Sequence, residues 1–177
     1  MKPQVEEDEF SAFRNENVVS VEQKIVYFIN GLFVSLIPVY LFHSIYSLTL
    51  ESYIIVYASV TLFSALVLSF AYNNIYRLKK LKLSTTRDHL LSASKTKVQS
   101  GYDKKKVLAA KKESQALVTS HEAIAMSIMY NNALFIVSTL VFSFVIFKSV
   151  PLVYNFIASV AMASGVTAFL STGSKQH

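Results

Sequence analysis

The spacing of charged residues is the feature that most constrains this sequence. Four stretches of 25 or 26 residues contain no Asp, Glu, Lys or Arg. They lie between Lys24 and Glu51, Glu51 and Arg77, Glu122 and Lys148, and Lys148 and Lys175. A helix needs about 20 mostly apolar residues to cross a bilayer. We therefore predict an all-α membrane protein with four transmembrane helices, near 25–48, 53–76, 123–147 and 150–171.

A soluble bundle of buried helices is the alternative interpretation of these stretches. Buried helices of soluble proteins usually keep charged residues along one edge. The stretches here are apolar on every side, as in LFSALVLSF at 62–70, and the chain is 53% hydrophobic but only 16% charged. The chain also lacks cysteine, which excludes disulfides and thiolate metal sites. The pattern favours the membrane protein.

Positive charge is concentrated in one connection between the predicted spans. Residues 77–122 contain 12 Lys or Arg and 4 Asp or Glu, whereas the other two connections carry only Glu51 and Lys148. Lys and Arg in short loops stay on the cytosolic side. We therefore expect this segment and both termini to be cytosolic. The predicted divisions are a tail (1–24), a transmembrane hairpin (25–76), a basic hairpin (77–122), a second transmembrane hairpin (123–171) and a tail (172–177).

The basic segment is predicted to be a cytosolic antiparallel helical hairpin between spans 2 and 3. Residues 77–100 contain neither Gly nor Pro, and Leu83 and Leu90 lie seven positions apart. Such spacing gives a helix a narrow apolar stripe. Ser100 and Gly101 signal the turn between the two helices. The 24 residues before this turn would project about 36 Å from the membrane.

Two pairs of asparagines are candidates for packing between helices. Asn73 and Asn74 end span 2, while Asn131 and Asn132 lie near the start of span 3. Their midpoint falls at the predicted turn, so in a symmetric hairpin the amides would lie level and hydrogen-bond. Such bonds contribute about 0.6–2 kcal/mol in a membrane. The alternative is that asparagine only marks each membrane interface.

A stripe of small residues is a second packing candidate. It consists of Ala158, Ala161, Gly165 and Ala168. Small residues let another helix approach closely. The partner helix is expected either in this chain or in another subunit.

The basic residues of the predicted hairpin form two groups. Those beside the membrane are Arg77, Lys79, Lys80 and Lys82, and we expect them to anchor the chain at anionic lipid headgroups. Those around the turn, together with one tyrosine, are Lys95, Lys97, Tyr102, Lys104, Lys105, Lys106, Lys111 and Lys112. From composition alone, a solvated charged face explains the second group.

The sequence predicts no catalytic residue, no metal site and no cofactor. It has no phosphate-binding loop, no Gly-x-Ser-x-Gly and no His-Glu-x-x-His motif. His43 is the only histidine inside a span, and a proton-relay or ligand role is the alternative to simple packing. The predicted spans contain no charged residue, which argues against ion-coupled transport.

Several short motifs point to one family. They are FAYNN at 70–74, EA at 122–123, SI at 127–128, YNN at 130–132 and LSTGSK at 170–175. Together with the four-span layout, they resemble the gamma subunits of the translocon-associated protein complex of the endoplasmic reticulum. The resemblance extends over about 150 residues.

The resemblance implies a non-enzymatic accessory subunit in the membrane of the endoplasmic reticulum. Its implied partners are the alpha, beta and delta subunits, the protein-conducting channel, the ribosome (rRNA and ribosomal protein) and membrane lipid. The lysines near Tyr102 would then bind ribosomal RNA phosphates, with Tyr102 stacking on a base. A small four-span transporter or channel subunit is the alternative function.

The predicted topology can be tested by proteolysis of sealed microsomes. We expect protease added outside to cut near Gly101, because the 12 Lys and Arg of residues 77–122 hold this segment in the cytosol. Protection of that position, with cleavage near Glu51 or Lys148 instead, would reverse the topology.

Overall fold

The structure, a computed structural model, describes residues 19–47, 49–94 and 103–172, with side chains except at 50, 88–94 and 103–113. Within these ranges it contains helices and no strand. The helices are α1 (Val21–Tyr46), α2 (Leu50–Ser94), α3 (Asp103–Val141) and α4 (Leu152–Thr172), and a π-helical turn (Phe142–Ile146) follows α3. Four helices are long and apolar enough to cross a membrane, which confirms the predicted number of spans.

Local hydrogen bonds define the ends of α1. The Ser20 side chain accepts from the Gln23 backbone N–H at 3.3 Å, and the Gln23 side chain accepts from the Ser20 N–H at 3.3 Å. This reciprocal pair satisfies backbone donors at the helix start. At the other end Ser47 has a φ of 55°, and its N–H bonds to the carbonyl of Phe42. Helix α1 therefore ends at Tyr46, and α2 begins four residues later at Leu50.

Helix α2 is the centre of the bundle, since it contacts each of the other three helices extensively. The core draws aromatic and aliphatic side chains from all four helices. Its largest fully buried members include Tyr27, Phe42, Leu68, Tyr72, Phe135, Phe156 and Val160.

Helices α1 and α2 approach each other closely at Gly31. A Cβ atom added there would lie 3.0 Å from the backbone oxygen of Ala65, so a side chain fits only if that backbone shifts. Small residues allow such close packing in membranes. Gly165, in the small-residue stripe identified from the sequence, behaves differently. It is exposed, and a Cβ there would meet no heavy atom within 4 Å.

The distribution of polarity is the reverse of that in a soluble bundle. Serine, threonine and asparagine side chains occupy the interfaces between helices, as at Ser64, Ser127 and Thr167, each 0% exposed. Large apolar side chains point outward, with Ile55 81% and Phe169 74% exposed. An apolar exterior around buried polar side chains suits surrounding lipid.

Replacing Gly31 by Val should destabilise the bundle. The new side chain would meet the Ala65 backbone, which cannot rotate away, and overpacking of this kind costs about 1–3 kcal/mol. We expect a lower melting temperature for the detergent-solubilised chain.

Gly165→Val is the matched control, because it adds the same side chain to a membrane helix at an open position. Equal melting temperatures of the two variants would contradict the close contact at Gly31.

Candidate functional site

The candidate site lies where α2 and α3 continue past their apolar segments. The apolar run of α2 ends at Tyr76, whose hydroxyl lies 3.0 Å from the Ser120 hydroxyl of α3. Helix α2 then runs on from Arg77 to Ser94, which is about 27 Å of helix. The predicted projection of about 36 Å also requires residues 95–100, which lie outside the described residues.

An arginine joins the two helices farther along this extension. One guanidinium nitrogen of Arg87 donates to the Glu122 carboxylate at 2.6 Å. The other donates to the Thr119 hydroxyl and, at 3.4 Å, to the backbone oxygen of Gln115. The side chains of Arg87 and Glu122 are 25% and 42% exposed. Arg87 was not among the residues predicted from the sequence. The available signal was a basic residue five positions beyond Lys82 on α2, with the acidic Glu122 on α3.

The four residues predicted to anchor lipid headgroups lie on α2 directly after Tyr76. Arg77 and Lys82 are exposed, and Lys79 and Lys80 are half-buried. The ammonium group of Lys80 lies 5.8 Å from the centre of the Tyr76 ring. Long basic side chains at a membrane edge cover apolar surface with their stems and keep the charge in water.

The residues predicted to meet the ribosome are placed only in part. Lys95, Lys97 and Tyr102 lie outside the described residues. The other five belong to α3, but their side chains lie outside the described part of the structure. They are Lys104, Lys105, Lys106, Lys111 and Lys112. Their contacts therefore stay a prediction.

A hydrogen-bonded layer joins three helices inside the bundle. The Asn30 amide of α1 donates to the Tyr72 hydroxyl of α2 at 3.0 Å and to the Asn132 side-chain oxygen of α3 at 3.4 Å. Tyr72 in turn donates to the Asn132 oxygen. The Ser127 hydroxyl adds a bond of 2.6 Å to the Tyr72 backbone oxygen. This layer fixes α1, α2 and α3 relative to one another.

In this layer the contact between α2 and α3 joins Tyr72, which was not predicted from the sequence to pack, to Asn132, which was. Asn73 and Asn74, which follow Tyr72, are half-buried. Asn131 is fully buried, and its amide donates to the Ser127 backbone oxygen of its own helix at 2.9 Å. Within the described part of the chain, the side-chain oxygens of Asn73 and Asn131 are buried without a hydrogen-bond partner.

Asn155 organises the opposite end of the bundle. Its amide donates to the backbone oxygens of Phe147 at 2.9 Å and Ser143 at 3.2 Å, and its oxygen accepts from Ser159 at 2.8 Å. The last carbonyl groups of a helix have no hydrogen-bond donor within the helix. The Asn155 amide supplies such a donor beside the π-helical turn. The sequence could have indicated this role, because Asn155 is the only residue with an amide side chain in predicted span 4.

The stripe of small residues on α4 lies beside the face that packs into the bundle. Ala158, Ala161 and Ala168 are half-buried, and Gly165 is exposed. The buried face of α4 instead includes Phe156, Val160 and Thr167.

Within the described ranges, no group of three or more His, Asp or Glu residues is arranged to hold a metal ion. His43 and His121 are both exposed. The arrangement described above can tie helices together and carry positive charge outside the apolar region.

Comparisons with known proteins agree on one family. A family model for the gamma subunit of the translocon-associated protein (TRAP-gamma) matches residues 7–173. The chain is also 64% identical over 170 residues to the translocon-associated protein subunit gamma of Dictyostelium discoideum. That alignment covers 96% of this chain and 98% of the relative. The matched range contains all four helices.

Replacing Tyr72 by Phe should weaken the bundle. The change keeps the ring but removes the hydroxyl that bonds both Asn30 and Asn132. We expect a loss of about 0.6–2 kcal/mol, the range for hydrogen bonds between membrane helices, measured as lower thermal stability in detergent.

Tyr40→Phe provides the control, because this tyrosine is 72% exposed on α1. If both variants melt at the same temperature, the Tyr72 hydroxyl does not stabilise the bundle.

Proposed function

Because the chain belongs to the translocon-associated protein gamma family, we propose that it is an accessory subunit of the protein translocation machinery of the endoplasmic reticulum. In this role it docks the translocon-associated complex to the ribosome and to the protein-conducting channel during co-translational translocation. The family is not known as enzymatic, and membership in it confirms the prediction that the chain is not an enzyme.

The proposed partners follow from family membership and from the layout of the chain. They are the alpha, beta and delta subunits of the complex, the channel, the ribosome and membrane lipid. The protein spans the endoplasmic reticulum membrane four times, with both termini and the 77–122 segment in the cytosol. Four apolar helices and the clustering of Lys and Arg in one connection support this placement.

The observation that carries ribosome docking is the positive charge on the extensions of α2 and α3. Of 17 Lys and Arg residues, 12 lie between 77 and 122. Ribosomal RNA presents dense phosphate, which lysines bind by releasing counterions. Phosphate contacts position a protein without reading sequence. Lys104, Lys105 and Lys106 are the proposed centre of this contact, with Tyr102 stacking on an exposed base.

Lipid contact is proposed for the basic residues nearest the membrane. Arg77 and Lys82 are exposed directly beyond the apolar segment of α2. Anionic headgroups attract such juxtamembrane charges with about 1 kcal/mol for each Lys or Arg. This group therefore holds the depth of α2, while the group near Tyr102 meets the ribosome.

A small four-span transporter or channel subunit is the alternative function. Transporters usually place charged groups or broken helices near the membrane midplane. The four uncharged stretches of the sequence do not support it, and Asn30, Tyr72 and Asn132 bond to one another rather than line a path.

Reversing three charges tests the docking proposal. Changing Lys104, Lys105 and Lys106 together to Glu should release ribosomes from the solubilised chain at lower salt. Loss of three phosphate contacts should also reduce the slope of log affinity against log salt by about 2–3. The measurement is ribosome co-sedimentation across a salt series.

The matched control changes the same three lysines to Arg, which preserves the charge and should preserve binding. Ribosome retention by the Glu variant at the same salt as the unmodified chain would show that these lysines are not the contact.

A further inference from the structure

We propose that Arg87 is a positioning residue that sets the separation and angle of α2 and α3 where these helices leave the membrane. Through this geometry it determines how the lysines near Tyr102 meet the ribosome. The inference rests on the proposed function, because the lysines need a fixed direction only if they dock on another particle. Arg87 itself is not assigned a contact with RNA.

The Arg87 guanidinium gathers acceptors from three residues on one face of α3. They belong to Gln115, Thr119 and Glu122, three or four positions apart. The planar guanidinium offers five donors in a fixed geometry. Because these donors meet acceptors from successive turns of α3 at once, the contact resists both sliding and rotation of α3 against α2.

Two of the three acceptors are themselves held in place. Thr119 is 3% exposed, and its hydroxyl donates to the Gln115 backbone oxygen at 2.7 Å. Arg87 is 25% exposed, so part of its side chain is enclosed between the helices. An exposed pair of flexible side chains contributes little to structure. Here Thr119 and the Gln115 backbone are already ordered where Arg87 reaches them.

A second cross-helix contact makes the pair of helices act as a unit. The Ser127 hydroxyl of α3 donates to the Tyr72 backbone oxygen of α2 at 2.6 Å. This contact lies 15 residues from Arg87 along α2 and five residues from Glu122 along α3, so its height differs from that of the Arg87 contact on both helices. Two contacts at different heights define the angle between two helices, whereas one contact leaves it free. Helix α2 continues beyond Arg87 to Ser94, so an angular change at Arg87 would grow with distance toward the predicted turn.

The first measurement uses spin-label distances in the full-length chain in lipid nanodiscs. The chain has no native cysteine, so Thr85→Cys with Ala116→Cys reports the extensions, both positions being exposed. A second pair, Phe63→Cys with Val137→Cys, reports the membrane part, where the side chains are 53% and 59% exposed. Arg87→Gln should broaden the first distance distribution and leave the second unchanged.

Lys24→Gln is the control, since it removes one positive charge from an exposed position of α1 that belongs to neither proposed contact. It should leave both distributions unchanged. Glu122→Gln is the second variant and should broaden the first distribution as Arg87→Gln does. An unchanged first distribution in both variants would overturn the proposal.

The second measurement is ribosome affinity of the same samples. Arg87→Gln and Glu122→Gln should each weaken binding about twofold to fivefold, the range expected from one partly exposed ion pair. The reversed pair, Arg87→Glu with Glu122→Arg, should recover part of that loss and narrow the distribution. A broadened distribution with unchanged affinity would overturn the positioning role.

The two proposals fail in distinguishable ways. If the Lys104, Lys105 and Lys106 variant loses ribosomes while Arg87→Gln neither broadens the distances nor weakens binding, only the positioning role is wrong. If the unmodified chain does not bind ribosomes, docking is wrong, and the role of Arg87 in docking falls with it, whatever the distances show.

Discussion

Hydrogen-bond satisfaction without water is the constraint on which the rest of this structure depends. In the core of a bilayer, a polar group that lacks a partner costs several kcal/mol. The chain meets part of this constraint by bonding Asn30, Tyr72 and Asn132 to one another across three helices, whereas, within the described ranges, the side-chain oxygens of Asn73 and Asn131 are buried without a partner. The Asn155 amide bonds the backbone oxygens of Ser143 and Phe147, in and after the π-helical turn. Polar residues thereby connect the helices, while apolar side chains face outward.

Aromatic packing accompanies the polar contacts at both ends of the bundle. Toward the basic extensions, the ring of Tyr27 lies 5.7 Å from that of Tyr72. At the opposite end, Phe156 meets Phe42 at 5.2 Å and Tyr57 at 4.9 Å in edge-to-face geometry. Such pairs contribute beyond the area they bury. Between these layers Gly31 lets α1 approach the backbone of α2 at Ala65, so α2 serves as the common partner.

Outside the apolar region, stability and contact depend on different charges. Arg87 and Glu122 face each other and join two helices. The lysines proposed to meet RNA need no partner in the chain, since phosphate supplies the opposite charge. Phosphate binding by lysine is not directional, and the RNA sequence is not read. The position of the lysines relative to the RNA therefore matters more than the orientation of each side chain. The helices that carry the lysines set that position.

The sequence by itself determined the number of spans, because burying a charge in lipid is costly enough to leave a visible gap of 25 or 26 residues. It also pointed to the family through motifs such as FAYNN and YNN. Only the tertiary structure decided which small and polar residues meet. It brought Gly31 rather than Gly165 against a neighbouring backbone, and it joined α2 to α3 through Tyr72 and Arg87. Which residues meet depends on the rotation of each helix about its own axis. Because the four spans are apolar on every side, the sequence shows no apolar stripe from which that rotation could be predicted.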